Sequence, residues 1–143
     1  MVNIKTEIVI HRPLKEVAEF ASNPDNAPQW YQNIKSVSWK TPPPLAIGNE
    51  IAFSAIFMGS ELAYTYKVVE MNDNRFVMQT SEGLFPMKTT YEWERVYENS
   101  TRMTLVNSGN PSGFSKLLSP IIGMMIKKEN KKDLERLKAI LEL

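Results

Sequence analysis

Five polar side chains share the strand faces that the sequence pattern predicts to point inward, and they are the groups best placed to do chemistry. They are Tyr64, Tyr66, Thr89, Tyr91 and Asn107. Hydroxyl and amide groups on the wall of an apolar pocket would fix the orientation of a bound molecule. Because five polar groups on one inner face would otherwise have to satisfy one another, their clustering favours a pocket over a filled core.

The sequence lacks the residues on which most enzyme mechanisms depend. It contains one histidine and no cysteine, which excludes disulfides, thiol catalysis and zinc sites built from cysteine. We therefore expect no metal ion and no cofactor. His11 shares strand parity with Lys5 and Glu7, so we interpret it as a solvated residue at a strand end. The acids Glu92 and Glu94 also face outward on this parity, and nucleophile-elbow, Walker-loop and dinucleotide-glycine motifs are absent from the sequence.

Length and charge limit the classes of function. The chain has 143 residues, which fits one domain spanning 1–143 with a core of its own. The formal net charge of +1 offers no global field that would recruit nucleic acid or an anionic membrane. The N-terminus does not resemble a signal peptide and no apolar run is long enough to span a bilayer. We expect a cytoplasmic protein that binds no nucleic acid and is a monomer or weak homodimer.

The elements that would position the polar side chains follow from periodicity. Residues 2–10 alternate between apolar and polar side chains, which predicts a strand with one wet face. Pro13 suits the first turn of a short helix, and Trp30 closes a second short helix or turn. Six further strands are predicted in series, with a hairpin turn at residues 58–60. Their core sequences are NIKSVSW, NEIAFSAIF, ELAYTYKVVEM, RFVMQTS, FPMKTTYEWERV and TRMTLVNSG.

The C-terminal segment carries apolar residues at three- and four-residue spacings, which predicts a long amphipathic helix. Pro120 must lie in its first turns or mark a kink after a preliminary helix over 112–119. The apolar character is densest in the first half, whereas KKENKKDLER is expected to be mostly solvated. A long straight helix cannot pack flush against a twisting sheet, so interior space must be left or filled.

These features resemble the START-related helix-grip superfamily, often labelled SRPBCC. Within it the chain looks like the polyketide cyclase/dehydrase-like and carbon monoxide dehydrogenase G-like bacterial proteins. The resemblance rests on HRPLKEVAEFASNPDNAPQW after the first strand, on IGNEIAF at the third strand and on the paired strands YEWERVYENSTRMTL. It implies an α+β, birch-pollen-allergen-like fold, in which a seven-stranded antiparallel sheet wraps around a long C-terminal helix, with two short helices after strand 1.

The resemblance and the inward pattern together predict an apolar cavity between the sheet and the helix. We expect it to hold a hydrophobic small molecule, which could be lipid-like, polyketide-like or quinone-like. Two alternatives stay open: a cyclase or dehydratase that works without metal, and a protein-interaction or accessory module with a well-filled interior. The predicted cavity residues are Trp30, Phe53, Phe57, Tyr64, Tyr66, Met78, Thr89, Tyr91, Trp93, Asn107, Phe114, Leu118, Ile121, Ile122 and Met125.

Overall fold

A computed structural model describes residues 2–57, 59–83, 86–109 and 119–143, with side chains from residue 3 in the first range and from residue 121 in the last. Its strands are β1 Val2–Ile10, β2 Ile34–Trp39, β3 Glu50–Phe57, β4 Ser60–Asn72, β5 Arg75–Glu82, β6 Met87–Tyr97 and β7 Ser100–Gly109. Its helices are α1 Leu14–Ser22, a 3-10 turn Pro24–Asn26, α2 Ala27–Trp30 and α3 Ser119–Leu141. This arrangement confirms the predicted α+β helix-grip fold.

The seven strands form one antiparallel sheet in the order β1-β7-β6-β5-β4-β3-β2. Strands β2 to β7 follow one another as hairpins, while β1 pairs with β7 from the far end of the chain. Register shifts interrupt the β2–β3, β4–β5 and β6–β7 ladders. Such bulges bend a strand and increase its twist, so the sheet curls and presents a concave face.

The alternation predicted for β1 is confirmed by its burial. Thr6 and Ile10 are buried, whereas Asn3, Lys5 and Glu7 are exposed on the opposite face. The inward face of β1 lies against α3. The period-two pattern therefore identifies the strand face that packs on the helix.

The two short helices pack their apolar residues against the rest of the fold: α1 contacts β6 and β7, and α2 contacts β2 and α3. Helix α1 begins directly after Pro13, whose fixed φ suits a helix start, and it buries Val17 and Ala21. Trp30, the last residue of α2, is completely buried. These contacts hold the loop after α2 close to the concave face.

Helix α3 is held against β1 along much of its length. Pro120 is its second residue, as predicted, where a missing backbone N–H costs no helical hydrogen bond. A side chain at Gly123 would place its Cβ 3.3 Å from Ile4 Cδ1, so glycine allows the helix to approach the strand closely. Near the other end, Lys138 Nζ donates to the Val9 carbonyl at 2.7 Å.

Some predicted features involve residues that the structure does not describe. The predicted cavity residues Phe114 and Leu118, and the preliminary helix over 112–119, lie outside the described residues except for residue 119, which begins α3. Among the helices that the structure describes, none is long and apolar enough to cross a membrane.

Candidate functional site

A cavity of about 200 Å³ lies between the concave face of the sheet and α3. Most of its wall is apolar or aromatic, with contributions from strands β2 to β7 and from helices α1, α2 and α3. The apolar wall includes Ala21, Pro24, Ala27, Ile34, Phe53, Ala55, Ile56, Phe57, Leu62, Met78, Met87, Ile122 and Ile126. The cavity thus has the apolar character that the inward pattern predicted.

Several of the predicted cavity residues lie in this wall. They are Phe53, Phe57, Tyr64, Tyr66, Met78, Thr89, Tyr91, Asn107 and Ile122. Alternation places the strand residues inward, and the β6–β7 register is continuous from Met87 to Arg95, so no slip exchanges the two faces there.

Ile121 and Met125 require a correction, because the structure places both away from the cavity. Their side chains are 55% and 39% exposed. Successive residues of a helix are rotated by about 100°, so the face that carries Ile122 and Ile126 turns their neighbours toward solvent. The prediction recognised the helix but assigned part of its apolar surface to the wrong side.

Trp30 and Trp93 are also corrected, since they lie in the core behind the cavity and not in its wall. Both indoles pack on the ring of Tyr91, with centroid separations of 5.7 Å and 6.1 Å. The ring of Tyr31 packs on Trp30 with a centroid separation of 4.1 Å. The two tryptophans therefore fix the position of aromatic rings that do reach the cavity.

A chain of hydrogen bonds crosses the wall from β4 to α3. The Tyr66 hydroxyl lies 2.8 Å from Thr89 Oγ1, which donates to Asn107 Oδ1 at 2.6 Å. Asn107 Nδ2 then donates to Asn130 Oδ1 at 3.2 Å. All four residues line the cavity, so the chain of hydrogen bonds links the sheet to the helix within the cavity wall.

A pair of tyrosines forms a second polar group in the wall. The hydroxyls of Tyr31 and Tyr91 lie 2.6 Å apart. Burial raises the pKa of Tyr66 to about 12, and burial raises the pKa values of Tyr31, Tyr64 and Tyr91 well above the usual value. These phenols are therefore protonated at neutral pH and can donate hydrogen bonds.

Asp133 is a buried carboxyl in the wall, with 3% of its surface exposed. Burial raises its pKa from 3.8 to about 6; the backbone N–H of Gln32, which donates to Oδ1 at 3.1 Å, limits the rise. The Glu129 carboxylate raises this pKa further and Arg136 lowers it. The carboxyl can therefore change its protonation state near neutral pH.

The polar wall residues that the sequence analysis missed include Asn130 and Asp133, which belong to the segment expected to be mostly solvated. The sequence did contain an indication of this: Ile122, Ile126, Asn130 and Asp133 follow one another at helical spacings of four, four and three, so they lie along the same inward face of α3.

His11 is exposed, as predicted, and its Nδ1 lies 3.1 Å from Ser100 Oγ.

Possible metal ligands do not converge in this site. Within the ranges that the structure describes, no group of three or more His, Cys, Asp or Glu side chains is arranged to hold a metal ion. The wall offers hydrogen bonding by phenols, hydroxyls and amides, together with proton exchange at Asp133.

The sequence matches a protein family along nearly its whole length. A family model described as polyketide cyclase / dehydrase and lipid transport covers residues 1–142. The chain belongs to this family. No curated protein matches the sequence significantly.

Several solved structures share the fold of this chain. The protein TTHA0849 from Thermus thermophilus is 17% identical, with a TM-score of 0.82 over 96% of this chain and 94% of its own. A START superfamily protein from Mycobacterium smegmatis is 15% identical, with a TM-score of 0.75 over 98% and 94%. The Zhui aromatase/cyclase from Streptomyces sp. R1128 is 12% identical, with a TM-score of 0.77 over 98% and 93%. The chain therefore shares the fold of these proteins, and at identities this low the similarity shows the fold alone.

Proposed function

We propose that the protein binds or carries a hydrophobic small molecule in the cavity between the sheet and α3. The observation that carries this proposal is the cavity itself, about 200 Å³ in volume and lined largely by apolar and aromatic side chains. Apolar cavities of about 150 Å³ in other proteins already accommodate benzene. A lipid-like, polyketide-like or quinone-like ligand would find both an apolar wall and a few polar groups to orient it.

A pair of neighbouring isoleucines provides the test of this proposal. Ile122 is buried in the cavity wall, whereas Ile121 is mostly exposed on the same helix. Ile122→Trp should fill part of the cavity, and Ile121→Trp adds the same atoms to the surface. The assay is a fluorescence titration with the neutral apolar probe N-phenyl-1-naphthylamine, with circular dichroism to verify that both variants fold.

The proposal predicts saturable, one-to-one probe binding by the unmodified protein. Ile121→Trp should retain this affinity, while Ile122→Trp should lose it about tenfold or more, because the indole occupies the space that the probe needs. Equal affinity in the two variants would place the probe elsewhere. An absence of saturable binding to the unmodified protein would contradict the proposal directly.

An enzymatic function is the second candidate, and the buried Asp133 is the observation that favours it. A carboxyl with a pKa near 6 can act as a base at neutral pH, and the Tyr31–Tyr91 pair lies in the same wall. Such groups suit a cyclase or dehydratase. The carboxylate would remove a proton from the carbon beside a carbonyl, and a phenol would protonate the departing hydroxide to give water.

The two functions make different predictions for Asp133→Asn. If the protein only binds its ligand, this variant should bind N-phenyl-1-naphthylamine as well as the unmodified protein does. If it is a cyclase or dehydratase, a β-hydroxy ketone substrate should be dehydrated by the unmodified protein. Asp133→Asn should then lose at least about a hundredfold in rate, as expected for a general base. A rate that Asp133→Asn leaves unchanged would exclude this role for the carboxyl.

The remaining hypotheses keep their status as predictions. An interaction module was expected to have a filled interior, so the open cavity favours ligand binding over that alternative. The likeness to the carbon monoxide dehydrogenase G-like proteins, a single domain over 1–143, the cytoplasmic location, the absence of nucleic-acid partners and the monomer or weak homodimer all stay predictions.

A further inference from the structure

The exposed face of α3 carries a group of apolar side chains near the start of the helix. Met124, Ile121 and Met125 are 73%, 55% and 39% exposed. They lie three and four residues apart along the helix, so their side chains are neighbours on one face. Contiguous apolar surface marks sites of protein or membrane contact, whereas isolated apolar residues do not. We call these three residues the apolar tip of α3.

A basic stretch follows the apolar tip directly along the helix. Its sequence, KKENKK over residues 127–132, contains four lysines and one acid. All four lysines are exposed, and none of them forms an ion pair within the part of the chain that the structure describes. The acid, Glu129, lies in the cavity wall, where its carboxylate accepts a hydrogen bond from Asn33 Nδ2 at 3.4 Å. The overall charge of +1 therefore conceals a locally positive surface beside the apolar tip.

The spacing of the two groups along the helix matches the layers of a lipid surface. At about 1.5 Å per residue, Lys128 lies about 6 Å and Lys132 about 12 Å from Met124 along the helix axis. Amphipathic segments bury their apolar side chains about 5–10 Å into the boundary between head groups and acyl chains. A helix that enters this boundary tip first would hold its lysines among the lipid phosphates, which their flexible stems can reach.

The apolar tip is continuous with the wall of the cavity. Met125 comes three residues after Ile122, which lines the cavity, so the two side chains are neighbours on the helix. On the strand side, Ile56 belongs to the cavity wall and is 37% exposed. Apolar surface therefore extends from the cavity wall to the outer face of α3, and a lipid surface that covers the tip would lie close to the cavity.

Two other occupants fit the apolar tip less well. A stable interface between two proteins buries about 800 Å² on each partner, which is more than three partly exposed side chains can supply. In a symmetric dimer about the tip, the neighbouring lysines would also approach their own copies. An acidic protein would match the lysines, but the apolar side chains project from a convex helix and form no groove that could hold a partner's side chain.

We propose that the N-terminal half of α3 is a docking surface for anionic lipid membranes. The apolar tip enters the boundary of the acyl chains, and the four lysines of KKENKK bind the phosphates of the head groups. This proposal goes beyond the proposed function, because it assigns a surface outside the cavity and does not depend on which ligand the cavity holds.

Vesicle sedimentation tests the role of the lysines. Affinities are compared for vesicles of phosphatidylcholine alone and of an equal mixture with phosphatidylglycerol. The unmodified protein should bind the mixed vesicles at least about tenfold more tightly, and high salt should remove this preference. The double variant Lys128→Gln, Lys132→Gln should bind mixed vesicles about tenfold more weakly. The control Lys15→Gln, Lys67→Gln removes two exposed lysines elsewhere and should lose less than about threefold.

Two matched pairs test the apolar tip. Ile121→Ser should weaken binding to mixed vesicles about fivefold, whereas Ile47→Ser, which alters a 63% exposed residue before β3, should not. Insertion is measured with Met124→Trp and Tyr97→Trp, since these positions are 73% and 70% exposed on different elements. Mixed vesicles with brominated acyl chains should quench the added fluorescence of Met124→Trp strongly and leave that of Tyr97→Trp unquenched.

Several outcomes would overturn the proposal. They are an absence of vesicle binding, equal affinity for neutral and mixed vesicles, and an affinity that Lys128→Gln, Lys132→Gln leaves unchanged. Self-association that Ile121→Ser abolishes, without vesicle binding, would make the tip a contact between copies of the chain. If either of these variants fails to fold by circular dichroism, quenching of Met124→Trp decides, because an unquenched indole also contradicts insertion. A protein that binds N-phenyl-1-naphthylamine but no vesicles would overturn this proposal alone.

Discussion

Replacing Asp133 with asparagine should stabilise the protein more above pH 6 than near pH 4. The carboxyl is buried in the folded protein, where its pKa is about 6 against 3.8 in the unfolded chain. The folded state therefore holds this proton more tightly than the unfolded state does. As pH rises from about 4 to about 6, the buried group must ionise and the protein loses stability, and above that range the loss is complete.

The size of the effect follows from the difference between the two pKa values. A shift of about 2 units corresponds to about 3 kcal/mol of unfolding free energy, at about 1.4 kcal/mol per unit. Asparagine cannot ionise, so the variant lacks this loss. It does introduce a buried amide nitrogen, but any cost of that group is the same at every pH. The gain at pH 8 minus the gain at pH 4 should therefore be about 2 to 3 kcal/mol.

Urea unfolding at several pH values between about 4 and 8 measures this difference. Glu135→Gln is the matched control, because it removes one negative charge from an exposed position of the same helix. The control should show a pH-dependent difference well below 1 kcal/mol, as is usual for exposed groups.

A stability difference between Asp133→Asn and the unmodified protein that stays constant from pH 4 to pH 8 would refute this reasoning. So would a variant that becomes less stable relative to the unmodified protein as pH rises. Either result would mean that burial does not destabilise the ionised form of the carboxyl, and it would count against the proposed role of Asp133 as a base near neutral pH.

Three further substitutions test the packing and the polar chain by urea unfolding. Leu137→Ala should cost about 2 to 5 kcal/mol because the side chain is completely buried; a cost below about 1 kcal/mol would contradict that packing. Tyr66→Phe should cost about 1 kcal/mol because Thr89 loses its donor, and an unchanged urea midpoint would show that the bond contributes nothing. Gly48→Ala should cost about 1 kcal/mol because its φ of 96° strains any other residue, and a stabilised variant would argue against that backbone conformation.

The fold could be predicted from the sequence because its local signals agree with one another. The alternation of residues 2–10, the turn at Gly59 and the position of Pro120 each identify an element that the structure contains. The pairing of β1 with β7 has no local signal, since the two strands are separated by most of the chain. The sequence analysis therefore did not predict that pairing.

The strand half of the site could be predicted better than the helix half. The side chains of a strand alternate between only two faces, so the sequence pattern could assign Thr89 and Tyr91 to the face that lines the cavity. A helix presents many faces, and hydrophobicity alone assigned Ile121 and Met125 to the cavity although the helix turns them outward. The same criterion overlooked Asp133, whose polar side chain becomes buried only because α3 packs against the curled sheet.

The central claim is that the cavity holds an apolar ligand, and native mass spectrometry of the protein purified from its own host tests it most directly. We expect a stoichiometric small molecule that Ile121→Trp retains and Ile122→Trp loses, and extraction would then identify it. A protein that carries no ligand, and that afterwards shows no saturable binding of N-phenyl-1-naphthylamine, would contradict the account.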